Sequence, residues 1–119
     1  MEGSPNSLKL LKCIIQPYKL NEIKDALAAI HVSGITVSEV RGFGRQKGHT
    51  ELYKGAEYTV DFIPKVEVEV VVSDNMARPV LDILMKTARS GKVGDGKIFI
   101  MNVDQVVRIR TGESNDGAL

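Results

Sequence analysis

From Lys65 to Ser73 the chain alternates with period two. Val66, Val68, Val70 and Val72 fall in one phase, and Lys65, Glu67 and Glu69 fall in the other. Successive strand side chains point to opposite faces, so this stretch specifies a strand with one apolar and one polar face. The apolar face needs a covering layer. Two segments carry the helical spacing to supply it. Leu20, Ile23, Ala26, Leu27 and Ile30 recur on one stripe, with Asn21 as a candidate N-cap. Val80, Leu81, Leu84 and Ala88 form a second stripe, capped by Ser73, Asp74 or Asn75, with Pro79 expected in its first turn.

Further strands are expected at Leu8–Gln16, Ile35–Phe43 and Lys97–Val103, with a short one at Val106–Arg110. The first ends at Gln16-Pro17, because the residue before proline prefers extended geometry. Gly34 punctuates the join after the first helix. The order is β-α-β-β-α-β with a short strand appended. Two right-handed crossovers then place both helices on one face of an antiparallel sheet, an α+β ferredoxin-like sandwich. Residues 8–113 form this single domain, and residues 1–7 and 114–119 read as loose ends. The other face needs cover as well. Leu10 and Ile14 oppose Leu11, Cys13 and Ile15 in phase, and Phe99, Met101 and Val103 oppose Ile98 and Ile100. Apolar residues in both phases point to burial against other subunits.

Composition removes several functions. With 16 Lys+Arg against 15 Asp+Glu, no global basic field exists to hold nucleic acid. Aromatics are 5% and Trp is absent, which leaves little for stacking on bases. One cysteine excludes an internal disulfide and makes the cytosol the default compartment. Two histidines and that cysteine make a dedicated zinc site a poor reading. No targeting segment is visible, and no apolar run approaches the roughly 20 residues of a spanning helix.

Gly44–Pro64 is the anomaly. About twenty residues join two strands that should pair as a hairpin, where two to five are usual. Long loops in small domains are commonly functional. This one holds Tyr53, Tyr58, Lys47, Lys54, Glu51 and Glu57 around Gly48 and Gly55. It has no apolar core of its own and is expected to be mobile and open to partners.

Two glycine-rich basic segments flank the middle of the chain: Gly42-Phe43-Gly44-Arg45-Gln46-Lys47-Gly48 and Gly91-Lys92-Val93-Gly94-Asp95-Gly96-Lys97. Glycines let backbone N–H groups approach an anion, but they also make ordinary tight turns. Neither segment fits a P-loop, since Ile98 follows Lys97, and neither fits the dinucleotide fingerprint. On glycine pattern alone the two readings stand level. Arg108 and Arg110 add weight, because period two in a short strand puts both guanidiniums on one side. A solvated edge strand carries such charges too. Three basic clusters in a chain of net charge +1 favour a phosphate or nucleotide site.

No catalytic set emerges. Cys13 lies among apolar residues and reads as core. His31 sits at a helix end, and His49 has no acid held beside it. Glu67 and Glu69 read as a solvated pair.

These residues carry a resemblance. Tyr53-Lys54-Gly55-Ala56-Glu57-Tyr58 resembles the loop signature of the PII nitrogen-regulatory proteins. Ser90-Gly91-Lys92-Val93-Gly94-Asp95-Gly96-Lys97-Ile98-Phe99-Ile100 resembles their second signature. The segments Gly42–Glu51 and Arg108–Glu113 are also similar, and the match spans about Leu10 to Glu113. The resemblance implies a non-enzymatic, ligand-switched homotrimer with ATP or ADP in the clefts between subunits. Ile14, Gly34, Thr36, Glu69 and Val71 would line the adenosine end. Gly44, Arg45, Gln46, Gly94, Asp95, Gly96, Lys97, Arg108 and Arg110 would surround the phosphates. With Mg-ATP, 2-oxoglutarate would bind at the loop root through Gln46, Lys47, Gly48 and Lys65, with Gln46 also a metal ligand. The loop would dock on nitrogen-assimilation enzymes or an ammonium transporter, the latter recruiting the protein to the membrane.

Tyr58 matches the residue that a nucleotidylyltransferase modifies in some members. Ala56 replaces the serine that is phosphorylated in others, and Cys13 and Gln16 replace the commoner alanine and lysine. A small phosphate-handling enzyme on the same fold is the alternative reading, and an RNA-binding module is a third.

Overall fold

The computed structural model describes residues 7–32, 34–43, 50–53, 56–59 and 62–119. Four strands build the main sheet: β1 (Leu8–Ile15), β2 (Ile35–Gly42), β5 (Ile63–Ser73) and β6 (Gly96–Val103). Their spatial order is β2-β5-β1-β6, and every neighbouring pair is antiparallel. Helix α1 (Leu20–Ala29) follows β1, and α2 (Asp74–Ala88) follows β5. This is the expected α+β arrangement.

Both helices cover one face of the sheet. Leu11, Cys13, Ile15, Val66, Val68, Val70 and Val72 meet Ile23 and Leu27 of α1 and Val80, Leu84 and Ala88 of α2 in one buried cluster. Burying each of the larger aliphatic side chains stabilises the fold by about 1.5–3 kcal/mol. The period-two valines of β5 thus do what their alternation requires. Neither α1 nor α2 covers the opposite face. Phe99 and Met101 are exposed there, and Lys12 and Glu69, paired across β1 and β5, form an ion pair at 3.9 Å.

Local details differ from the sequence reading. A 3-10 turn, Pro17–Lys19, leads into α1, so Lys19 is its N-cap and Asn21 lies inside the helix. Ser73 precedes α2, but its hydroxyl donates to Asp116 rather than capping the helix. Because α2 starts at Asp74, Pro79 lies in the second turn and not the first. It withholds an N–H from the carbonyl four residues back, on Asn75, itself an exposed residue.

The long join between β2 and β5 contains two short strands where a loop is expected. They are β3 (Thr50–Tyr53) and β4 (Ala56–Thr59), an antiparallel pair separate from the main sheet. β-branched and aromatic residues in both segments favour extended structure. The short strand expected over Val106–Arg110 shrinks to one antiparallel bridge, Val107 to Ser114. Gly112, at φ 76°, turns the chain back, and its N–H donates to the Arg108 carbonyl at 2.8 Å. Residues 115–118, read from the sequence within a loose end, form a 3-10 turn.

Gly96 shows how closely the sheet packs at its edge. It has φ 112°, and a Cβ placed on it would lie 1.7 Å from the Ile14 carbonyl oxygen. Gly112 also has positive φ, but a Cβ there meets nothing within 4 Å. Gly96→Ala should therefore lose about 2–4 kcal/mol of stability in urea unfolding, strain plus a backbone clash. Gly112→Ala should lose about 1–2 kcal/mol, strain alone. Equal losses would contradict the close approach.

Candidate functional site

Segment 90–97 joins α2 to β6 and is held from within. The Asp95 carboxylate accepts the backbone N–H groups of Ser90 and Gly91, each at 2.8 Å, and the Ser90 hydroxyl. These bonds, the Ser90 hydroxyl foremost, pull the Asp95 pKa below its ordinary value. Gly91, Gly94 and Gly96 all adopt positive φ, at 87°, 96° and 112°. That backbone needs glycine, so the glycine pattern reflects real turn geometry. Asp95 therefore acts as the turn's internal fastener.

The turn is also tied to the sheet. The Gly94 carbonyl accepts the Gln16 side-chain amide at 2.8 Å and the Lys65 ammonium. Lys65 is the one buried charged side chain among the described residues, 6% exposed. Burial lowers its pKa, while the Asp95 charge pulls the other way.

Eight of the expected nucleotide residues line two separate hollows, and Gly94, Arg108 and Arg110 line neither. One, of about 480 Å³, is lined by Gly34, Thr36, Glu69 and Val71, with Leu119 at its edge. Thr36 and Glu69 are direct neighbours across β2 and β5. Arg108 is adjacent, since its guanidinium donates to the Leu119 carbonyl at 2.9 Å and lies 3.6 Å from Glu113. The second hollow, of about 220 Å³, contains Ile14, Asp95, Gly96 and Lys97. Ile14 is the β1 neighbour of Lys97. No residue lines both hollows.

Arg110 is exposed in the turn after Val107. Since that segment is a turn, period two does not align Arg110 with Arg108, and the strand argument for a shared side fails. Gly44, Arg45, Gln46, Lys47 and Gly48 lie outside the described residues. Tyr58 sits in β4, opposite Glu51. Among the described residues no three His, Cys, Asp or Glu side chains group to hold a metal. Cys13 is buried, and burial pushes its thiol up to about 11, away from nucleophile chemistry.

Residues 8–113 match the family model for nitrogen regulatory protein P-II. The chain belongs to the P-II family. The nitrogen regulatory protein P-II of Klebsiella oxytoca is 54% identical over 112 residues, 94% of this chain and 100% of that one. Nitrogen regulatory protein P-II 1 of Escherichia coli K12 shows the same identity and coverage. A crystal structure of Arabidopsis thaliana PII bound to citrate is 34% identical with a TM-score of 0.79, covering 95% of this chain and 92% of that one.

Membership makes this P-II chain a signal-transduction regulator in nitrogen control. No described helix is long and apolar enough to cross a membrane. Two contacts of this P-II chain escaped the sequence reading. Gln16 reaches Gly94 across 78 residues, and Phe43 packs on Phe62 with ring centroids 5.9 Å apart where the long segment leaves the sheet. The second had a signal, an aromatic at each root of the segment. The first had none.

The Asp95 fastener has a pH signature. A depressed carboxylate pKa stabilises the fold fully above the unfolded value, near 3.8, and the contribution fades as pH falls through the folded value. Asp95→Asn should lower the melting temperature at pH 7. The gap to wild type should narrow on acidification below about 4. A gap that stays constant down to acid unfolding would contradict this role.

Proposed function

We propose that this chain is a non-enzymatic regulator that binds ATP or ADP and, together with Mg-ATP, 2-oxoglutarate, and switches partner proteins through its long segment. The observation that carries the reading is the division of eight expected nucleotide residues between two hollows, four in each. Along β1, Leu10 lines the first and Ile14 the second, about 13 Å apart at 3.3 Å per residue. One nucleotide would meet both sets if the hollows of adjacent subunits face each other. The exposed Phe99 and Met101 on the sheet face opposite the helices support such an assembly, a homotrimer in this reading.

The chemistry of each hollow fits one end of the ligand. Gly34, Thr36, Glu69 and Val71 offer an apolar wall with polar groups for a base and ribose. Arg108 beside the first hollow, and Lys97 with the Gly94 and Gly96 backbone at the second, offer charge and N–H groups for phosphates, and Arg110 would join them in the assembled site. Gly44, Arg45 and Gln46 would complete that end. Magnesium would supply positive charge beside the phosphates, with Gln46 as its protein ligand.

Lys65 would pair with the far carboxylate of 2-oxoglutarate, and Lys47 and Gly48 would close the site. The citrate in the Arabidopsis relative is likewise a carboxylate ligand. Occupancy at the root of the long segment would then redirect Tyr53 and Tyr58 toward or away from a partner. Nitrogen-assimilation enzymes or an ammonium transporter are the partner classes in this reading, in the cytoplasm or at its membrane. Tyr58 is the position open to a nucleotidylyltransferase.

Calorimetric titration tests the proposal. A charge-assisted bond is worth roughly 1.5–3 kcal/mol, so Arg110→Ala should weaken ATP by about 10- to 100-fold without changing the oligomer. Lys65→Ala should remove most 2-oxoglutarate binding and spare ATP measured alone. Wild type should bind 2-oxoglutarate only with ATP and Mg²⁺ present. Equal binding without them, or turnover of a phosphorylated substrate at an enzyme-like rate, would overturn the reading.

A further inference from the structure

Two donors converge on one backbone oxygen. The Gln16 amide and the Lys65 ammonium both reach the Gly94 carbonyl, each from one residue beyond the last β1–β5 pair, Ile15 with Val66. A carbonyl has two lone pairs and accommodates both. The two donors are not equivalent. Gln16 stands on rigid backbone, extended at φ −66° and ψ 137° and followed by Pro17. Its neutral amide is well matched to a carbonyl. Lys65 is a buried cation, and among the described residues no carboxylate lies within ion-pair distance of it. A carbonyl offers it only partial charge, and a carboxylate is the stronger partner.

We infer that Gln16 is a positioning residue that holds the Gly94 carbonyl while Lys65 exchanges that carbonyl for an incoming carboxylate. The inference rests on the reading that Lys65 receives 2-oxoglutarate and that the Gly94–Lys97 turn faces phosphate. A half-buried carbonyl stripped of every donor is costly, and the Asp95 bonds fasten Ser90 and Gly91 but leave the Gly94 carbonyl to Gln16 and Lys65. If Lys65 left and nothing replaced it, the turn would loosen when the nucleotide needs it ordered. With Gln16 in place the carbonyl keeps one partner throughout. Lys65 is thereby free to change partner while the phosphate-facing turn stays put. The two ligands can then strengthen each other, and that coupling is reciprocal.

The logic separates the tether from the ligands. In ligand-free protein either donor alone holds the turn. Amide hydrogen exchange at Val93–Lys97 should rise slightly in Gln16→Ala and in Lys65→Ala, and far more than their sum in the double variant. Strictly additive changes would overturn the shared carbonyl. With ligands, ATP affinity measured alone should change little in Gln16→Ala, because Lys65 still holds Gly94. The gain in ATP affinity caused by 2-oxoglutarate with Mg²⁺ should fall by about 2- to 10-fold, the span of one neutral hydrogen bond.

Gln16→Glu keeps the length but places a carboxylate beside Lys65 and removes the donor. It should weaken 2-oxoglutarate more than Gln16→Ala does. Unchanged coupling in Gln16→Ala would overturn the positioning role. Wild type that binds no 2-oxoglutarate would overturn the ligand reading and the partner exchange together, while the exchange measurements would still decide the two-donor tether.

Discussion

Strand β1 pairs along its whole length with β5 on one side and β6 on the other, and the site is built from that double ladder. The register sets Ile15 against Gly96 and Ile14 against Lys97. Only a glycine fits the first pairing, since any side chain would run into the Ile14 carbonyl. The 90–97 turn is therefore delivered to the end of β1 with its backbone pressed against the sheet. Gln16 and Lys65, at the neighbouring ends of β1 and β5, then find the Gly94 carbonyl within reach. A slip of one residue would turn every side chain of β6 to the other face and lose the arrangement.

The architecture was legible because its signals are local. Alternating valines in β5 and the i, i+3, i+4 stripes of both helices each report on a neighbour a few residues away. The glycines at 91, 94 and 96 were visible as a cluster, and their positive φ gives the cluster its reason. What the sequence hid depends on distance. Gln16 binds Gly94 only because the fold brings them together, and nothing around Gln16 announces it. Arg108 and Arg110 were misread as strand neighbours because one glycine at 112 converts the segment into a turn. The β3–β4 pair was missed because eight residues of alternating polar character inside a long join resemble a loop. The expected residues from Gly44 to Gly48 lie outside the described residues.

Electrostatics at the site follows from the same geometry. The chain carries almost no net charge, so attraction for an anion has to come from placement. Asp95 spends its charge on the turn's own N–H groups, and Lys65 rests on a carbonyl, a partner that a carboxylate can displace. Arg108 is held toward the C-terminal residues by Glu113 and the Leu119 carbonyl, beside the first hollow. The separation of these groups is the main physical fact about function. They line two hollows that share no lining residue, and the proposed assembly would bring one hollow of each of two subunits to the same ligand.

Mixed assembly tests that claim most directly. Lys97→Ala damages one hollow and Arg108→Ala the other. Each variant alone should bind ATP weakly. The two should then be unfolded, mixed in equal amounts and refolded together. If a site takes one hollow from each of two neighbouring subunits, about a quarter of the sites should regain both intact halves and wild-type affinity. Calorimetry should resolve that tight fraction. A mixture that binds no better than the separate variants would show that the hollows of different subunits do not share a ligand.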